Sequence, residues 1–505
     1  MVLKGEVSMA FNSVKKAYNY LLRNGVEDTF YASIEKIADR EKYNYQPVSA
    51  DVLANQRKRK WKENILFSIV VPAYETKEKY LRELIDSVIL STYPNWELII
   101  ADASITDGVK HIVDSFKDHR VKYLKLKENG GISVNTNAAI VHAKGDYIGL
   151  LDHDDIITSD ALYEFAAMIE NGRSKEIDYA LIYSDEDKCD SDARHFFEPN
   201  YKPGFNLDLL LSNNYICHFL MVKADVMKKL MLRADYDGAQ DHDLVLRVYA
   251  ATYGIASDYE IAYGHIPKVL YHWRCHEAST ASNPESKRYA YDAGLLAVRD
   301  YIKTAGIYAV VNHTKHNGFY HVEYRDYLTY PKDGPQIRRK VELTVTTRGK
   351  IAYNTLLNRY DIGVIGGPVI DNNKIVGGLM DNTKTCIYEG LNVHFSGYMH
   401  RAAMQQTGLA VDIRNMIAAE ALGNAVVNFA ESKEYMHLFD KNAVSELKEK
   451  LAKDSLNSPY IDVTALLNDL KYDDYDYLTA SLEICRESTF EGFLNYYDPQ
   501  FVLEK

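Results

Sequence analysis

The sequence predicts an α/β fold over residues 65–305, a mostly parallel sheet with helices on both faces, on three observations. Apolar strand-like runs alternate with stretches whose apolar residues recur every three or four positions. The runs are continuous rather than alternating, which marks strands covered on both faces, as in a parallel sheet. Several of them empty into carboxylates, Asp102 after one and Asp152, Asp154 and Asp155 after another. In open α/β sheets ligands collect beyond the carboxyl ends of the strands, so these acids lie where a ligand is expected.

Residues 1–64 read as a helical lead-in, with Tyr18, Leu21, Leu22, Ile34 and Ile37 at loose helical spacing. Residues 65–72 form the first buried strand, closed by Pro72, which has no N–H for a ladder. Leu81, Leu84, Ile85, Val88 and Ile89 make a helix face; residues 96–102 are a second strand. Val109, Ile112, Val113 and Phe116 make the next helix, and residues 121–126 a third strand. Gly130 and Gly131 then permit a tight turn into a helix, whose free N–H groups suit a phosphate, although such turns are often structural alone. The fourth strand ends in Asp152-His153-Asp154-Asp155. Acids packed this closely must repel, hold protons or hold a cation, and hard oxygen donors suit Mg²⁺ or Mn²⁺. The plainer reading is a solvated loop whose last acid caps the next helix. Residues 180–187 and 215–222 read as further strands. Leu244, Val245 and Val248 share one helical face, so Asp241 falls at or before the first turn, where the helix dipole keeps a carboxylate ionised. An N-cap is the alternative role there. His272, Cys275 and His276 lack the second ligand pair that structural zinc requires.

At 505 residues two or three domains are expected. A hydrophobic fraction of 47% with 26% charged residues is that of globular protein rather than disorder. A net charge of −12 speaks against a nucleic-acid partner, which would need a basic face. The run Arg57-Lys58-Arg59-Lys60-Trp61-Lys62 suits either an anionic membrane surface or a solvated linker. Five scattered cysteines without a CxxC pair suit a reducing compartment. With neither a signal peptide nor an apolar span in view, the expectation is a cytoplasmic protein, peripheral to the inner face of the membrane.

Taken together, Phe67-Ser68-Ile69-Val70-Val71-Pro72-Ala73-Tyr74, Ala101-Asp102-Ala103-Ser104, Leu151-Asp152-His153-Asp154-Asp155 and Gln240-Asp241-His242-Asp243-Leu244 resemble glycosyltransferase family 2, inverting nucleotide-sugar transferases of the GT-A fold. Tyr183-Ser184-Asp185-Glu186-Asp187-Lys188, Asn214-Tyr215-Ile216-Cys217-His218 and Tyr271-His272-Trp273-Arg274 are similar to a branch of bacterial rhamnosyltransferases of surface polysaccharide synthesis. The resemblance implies a nucleoside diphosphate sugar as donor, a saccharide or lipid-linked acceptor, and Mg²⁺ or Mn²⁺. It implies that Asp102 binds the base, that Pro72, Ala73, Tyr74 and Glu75 line its pocket, and that Gly131, Asp152 and His153 belong to the donor site. Asp154 and Asp152 would hold the metal, with Asp155 in support and His272, or secondarily His276, reaching the metal or diphosphate. Asp241 would be the catalytic base, with Gln240 where the general pattern has Glu.

Residues 306–505 carry a fainter signal. Asp361-Ile362-Gly363-Val364-Ile365-Gly366-Gly367 resembles the middle of a second family 2 domain, and the stretch from Ala480 the region around its base, with Thr479 and Ala480 where acids would stand. The first four strands have no counterpart between Val341 and Asp361, since about twenty residues cannot hold them. The expectation is an eroded second copy serving as scaffold, acceptor surface or homodimer contact, against an unrelated α/β appendage. A sugar-nucleotide pyrophosphorylase would need a Gly-rich loop after the first strand, where Pro72-Ala73-Tyr74-Glu75-Thr76 stands. A non-catalytic scaffold would not need acids at 152, 154 and 241.

Overall fold

Strand β1 (Phe67–Ala73) lies between β2 (Trp96–Asp102) and β4 (Tyr147–Leu150), parallel to both, and β3 (Val121–Lys125) extends the parallel set beyond β2. The computed structural model describes residues 18, 20–22, 24–35, 43–254, 259–276, 288–325, 346–453, 460–468, 475–490 and 492–505. They fall into two compact units: Lys42–Asn206 with Asn214–Tyr301, and Met1–Glu41 with Leu207–Asn213 and Ile302–Lys505.

In the first of these units the sheet runs β3, β2, β1, β4, β8 (Leu220–Lys223), β6 (Ile177–Cys189), β9 (Glu260–Arg274) and β5 (Ile156–Ile157), with β7 (Phe196–Asn200) on β6. Beyond β4, β8 is antiparallel to both neighbours, and β6 is parallel to β9. The short β5 pairs antiparallel with β9. Phe67, Ile69 and Val71 share a core with helices α1 (Glu78–Ile89), α2 (Gly108–Ser115) and α4 (Ala161–Arg173). Helix α3 (Ile132–His142) packs on β1 and β2 outside that core, so both faces are covered, as expected of this α/β fold.

Two details differ from the sequence reading. Pro72 does not end β1, which continues through Ala73. Alternate residues of β1 face alternate neighbours: Phe67 N and Ala73 O bond toward β2, and Val70 O toward β4. Pro72 therefore faces the β4 side, where pairing has already stopped at Val70, and its missing N–H breaks no ladder. Residues 215–219, expected as strand, leave the ladder, because Lys202 Nζ donates to the carbonyls of Ile216 and His218.

Gly145 sets the start of β4. A Cβ there would lie 2.6 Å from Ser68 N and 2.7 Å from Leu66 O, backbone atoms that cannot swing aside. Gly145→Ala is expected to destabilise the unit by about 1–3 kcal/mol through overpacking, read as a lower denaturant midpoint.

In the other unit Ile362–Gly366 lies between Leu494–Tyr497, parallel to it, and Met416–Ala419, antiparallel. Gln406–Gly408 and Tyr460–Asp462 flank these as antiparallel edges. Strand β6 of the first unit has the same kinds of neighbour, parallel β9 and antiparallel β8. In each unit a helix precedes the parallel partner: α5 (Gln240–Thr252) before β9, and Tyr475–Phe490 before Leu494–Tyr497. The reading of lost acids at Thr479 and Ala480 needs correction, because both lie inside Tyr475–Phe490, whose first turn carries Asp476. Among the described residues no helix is long and apolar enough to cross a membrane.

Candidate functional site

The carboxyl ends of β1 and β2 are tied together. Asp102, fully buried, accepts from Tyr123 Oη at 2.7 Å and from Ser104 N at 2.8 Å, with Lys125 Nζ at 3.5 Å. Glu75, at φ 47°, turns back to accept from Ile105 N at 2.7 Å, Thr106 N at 3.1 Å and Thr106 Oγ1 at 2.8 Å. The bonds from Thr106, backbone first, hold the Glu75 carboxyl below the usual carboxylate range. Pro72 and Ala73 are the last two residues of β1, and Tyr74, next on this rim, is 43% exposed. The other expected phosphate contact is already answered from within the chain. Gly131 (φ 90°) does open α3, but Ser133 N, in its first turn, donates to Asp237 Oδ1 at 3.2 Å.

From β4 the chain passes into the acid stretch. Asp155 caps no helix: it is buried, accepts from Tyr271 Oη and from Arg274 N at 2.7 Å, and precedes β5. Burial and the charges of Asp154 and Asp152 push its pKa well up. Asp152 keeps 44% of its side chain exposed. Enclosure raises its pKa, His218 pulls it back, and the charges of Asp154 and Asp241 add to the rise, which solvent screens in part. Asp154 turns aside to His276, Oδ2 to Nε2 2.6 Å, while its carbonyl accepts from Arg274 Nε at 2.6 Å. His153 Nδ1 is buried with no hydrogen-bond partner among the described residues.

One ligand atom each from Asp152, Asp155 and His218 lie within 4.8 Å of one another. Two carboxylates and an imidazole suit a divalent cation. His272 is not among them. On β9 side chains alternate, so Tyr271 and Trp273 face His218, with ring centroids at 4.8 and 5.4 Å, and His272 points the other way. There its Nδ1 lies 2.5 Å from Asp187 Oδ1, and Tyr45 and Phe196 enclose the ring.

Asp241 enters from α5. The cap residue of that helix is Ala239, so Asp241 stands inside the first turn rather than at the N-cap. It is half-buried and accepts from Asn214 Nδ2 at 2.8 Å. The other acid of this turn, Asp243, is engaged by Arg233 and by Arg247, whose Nη2 lies 2.7 Å away, which leaves Asp241 as the available carboxylate. Gln240 Oε1 accepts from Gly238 N at 2.8 Å. Asn214, which holds Asp241, also accepts from Cys217 N at 3.4 Å, Cys217 Sγ lies 3.6 Å from His218 Nε2, and that nitrogen lies 3.8 Å from Asp152 Oδ2, so the helix start and the acid stretch share one recess.

Residues 68–231 match the family model described as glycosyl transferase family 2. Over that stretch the chain is similar to glycosyltransferase family 2. An uncharacterized protein of Sinorhizobium fredii is 36% identical over 253 residues, 49% of this chain and 27% of that protein. The O-antigen biosynthesis protein RfbC of Myxococcus xanthus is 33% identical over 245 residues, 48% of this chain and 18% of that protein. The match thus spans well under half the length of either relative. Among solved structures, S. aureus TarS 1-349 in complex with UDP-GlcNAc aligns over 47% of this chain and 66% of that one, at 18% identity and a TM-score of 0.37.

The match to the family 2 domain includes Asp102, Gly131, the acid stretch and His218, and ends before Asp241, His272 and His276. Sequence reasoning singled out the motif that holds Asn214 and His218 but gave neither residue a role. It passed over Lys202, which nothing in its neighbourhood marks.

Proposed function

We propose that the protein is an inverting glycosyltransferase that moves a sugar from a nucleoside diphosphate to an acceptor hydroxyl in surface polysaccharide synthesis. Rhamnose is the sugar its sequence resemblance favours, and a saccharide or lipid-linked saccharide the acceptor. The observation that carries this is the shared recess. Asp152 and Asp241 come from separate elements, yet one short segment links them: Asn214 donates to Asp241 at 2.8 Å and His218 Nε2 lies 3.8 Å from Asp152 Oδ2. Inversion needs this two-sided arrangement, with the leaving group held on one face of the sugar and a base on the other.

The nucleoside lies on the rim formed by Pro72, Ala73, Tyr74 and Glu75, with the exposed Tyr74 as a stacking face; Asp102 lies buried beneath it and meets the base only where the base takes the place of Tyr123 or Lys125 on its Oδ2. Asp152 and Asp155, with the neighbouring acid Asp154, give the negative field that holds a divalent cation. Bound there, Mg²⁺ or Mn²⁺ would neutralise charge building on the departing diphosphate. Asp241, oriented by Asn214, takes the proton from the acceptor hydroxyl as that oxygen bonds to the anomeric carbon and the bond to the diphosphate breaks. His272 serves differently from the family pattern. It ties β9 to Asp187 and to Tyr45, away from the recess. Residues 306–505 are, in this reading, a partial second copy that keeps the acceptor half of the fold, a reading supported by the parallel and antiparallel neighbours Ile362–Gly366 shares in kind with β6.

Calorimetric titration of uridine and thymidine diphosphates tests the donor site. Mn²⁺ is expected to tighten binding of one of them by at least about tenfold, roughly 1.4 kcal/mol. Binding of neither, or binding indifferent to the cation, would sink the reading.

A further inference from the structure

We propose that His218 is a nitrogen ligand of the cation site, aimed by Glu186 and Lys202 as positioning residues, and that it tilts the site from Mg²⁺ toward Mn²⁺. The inference rests on the donor-site reading above and adds to it a ligand from outside the acid stretch.

His218 Nε2 lies 3.8 Å from Asp152 Oδ2, and its ligand atom belongs to the convergent set with Asp152 and Asp155. The opposite ring nitrogen, Nδ1, lies 3.2 Å from Glu186 Oε2, and the His218 backbone N–H donates to the same oxygen at 3.1 Å. With Nδ1–H given to a carboxylate, Nε2 is turned toward the acids, where a bound cation would take the place of its proton, the arrangement by which proteins orient metal-binding histidines. Cys217 Sγ, 3.6 Å from Nε2, is a weak partner that a cation would displace.

The backbone around the ring is held just as firmly. Lys202 is wholly buried, reaches Ile216 O at 2.6 Å and His218 O, and pairs with Glu186 at 3.3 Å. Glu186 also accepts from Asn200 Nδ2 at 3.2 Å. A lysine and a glutamate are costly to bury before they pair, so the pair is a demanding way merely to close a loop. Tyr271 completes the alignment: its ring stacks on His218 with an interplanar angle of 8°, and its hydroxyl is on Asp155. Two of the three ligating side chains are thus set by one tyrosine.

The donor set decides the preference. Mg²⁺ favours oxygen ligands and gives up water reluctantly, whereas an imidazole nitrogen is better matched to first-row transition ions. The test is pulsed electron paramagnetic resonance of Mn²⁺ on the full chain with uridine or thymidine diphosphate, prepared with ¹⁴N- and ¹⁵N-histidine. A histidine-nitrogen coupling is expected, lost in His218→Gln and kept in His272→Gln and His276→Gln. Glu186→Gln should raise the Mn²⁺ dissociation constant about 10- to 100-fold, the usual cost of losing such an orienting partner, with a smaller change for Mg²⁺. Should His218→Gln fail to fold, the isotope comparison on the unaltered chain and the other two histidine variants still decides. Mn²⁺ bound without a histidine coupling, or a coupling that follows His272 or His276, overturns the inference and leaves the donor site standing. Absence of Mn²⁺ binding altogether overturns the donor-site reading itself.

Discussion

Replacing Asp241 with asparagine is expected to lower sugar transfer by about 10²- to 10⁴-fold, the usual contribution of a positioned general base, while nucleoside diphosphate affinity stays near that of the unaltered protein. The substitution is isosteric, and the asparagine oxygen still accepts from Asn214 Nδ2, which now lies 2.8 Å from the carboxylate. The geometry is kept and the proton acceptor is removed. Asp243 offers no relief although it shares the helical turn, because Arg233 and Arg247 occupy its oxygens and bury it. The two acids therefore separate by experiment. Asp241→Asn should change kcat with little effect on folding, whereas Asp243→Asn should first lower stability. Steady-state transfer to a saccharide acceptor, with nucleotide affinity measured alongside, reads both. Turnover retained in Asp241→Asn clears that residue of the role.

Why so much of the first unit was legible lies in the physics of buried parallel strands. Strands covered on both faces must be apolar throughout, so β1, β2 and β4 stand out as runs, and the acids that follow them stand out against those runs. The start of α5 was legible because Leu244, Val245 and Val248 are periodic. What was hidden depended on partners distant in sequence. His272 lies one residue from Tyr271, yet strand alternation sends the two rings to opposite faces, and no motif says which face the recess occupies. Residues 215–219 look apolar enough for a strand, but Lys202 takes two of their carbonyls. Asp154 is drawn off to His276, across 122 positions of chain. In the other unit the helix Tyr475–Phe490 encloses positions that sequence comparison placed ahead of it, so the acid of its first turn was sought a few residues too late.

That other unit should respond strongly to Arg359→Met, with a loss of about 3–5 kcal/mol, the range for breaking a buried ion pair from one side. Arg359 is buried and bridges two carboxylates. Its Nη1 and Nη2 meet Asp208, the latter at 3.2 Å, and its Nε and Nη2 meet Asp361 at 2.7 and 2.8 Å. Tyr324 Oη accepts from Nη1 at 2.9 Å. Burial by itself would favour the neutral arginine, but Asp208 and then Tyr324 outweigh it and push the pKa well up, so the charge is permanent. Removing it strands Asp208, which is itself buried, with no cation to answer it. Asp361 is more exposed and regains water, so Asp208 carries most of the cost. Hydrogen exchange of Ile362–Gly366 and Leu494–Tyr497 reports on this unit alone, and its protection should fall by about two to four orders of magnitude, at 1.4 kcal/mol per tenfold. The double variant Asp208→Leu with Arg359→Met should recover most of the loss, because a buried pair exchanged for apolar side chains of similar size is often neutral. If Arg359→Met alone leaves protection unchanged, the cluster is not what holds the Leu207–Asn213 segment within this unit. If the double variant is as unstable as the single one, the cost lies in packing around the guanidinium rather than in the stranded Asp208 charge.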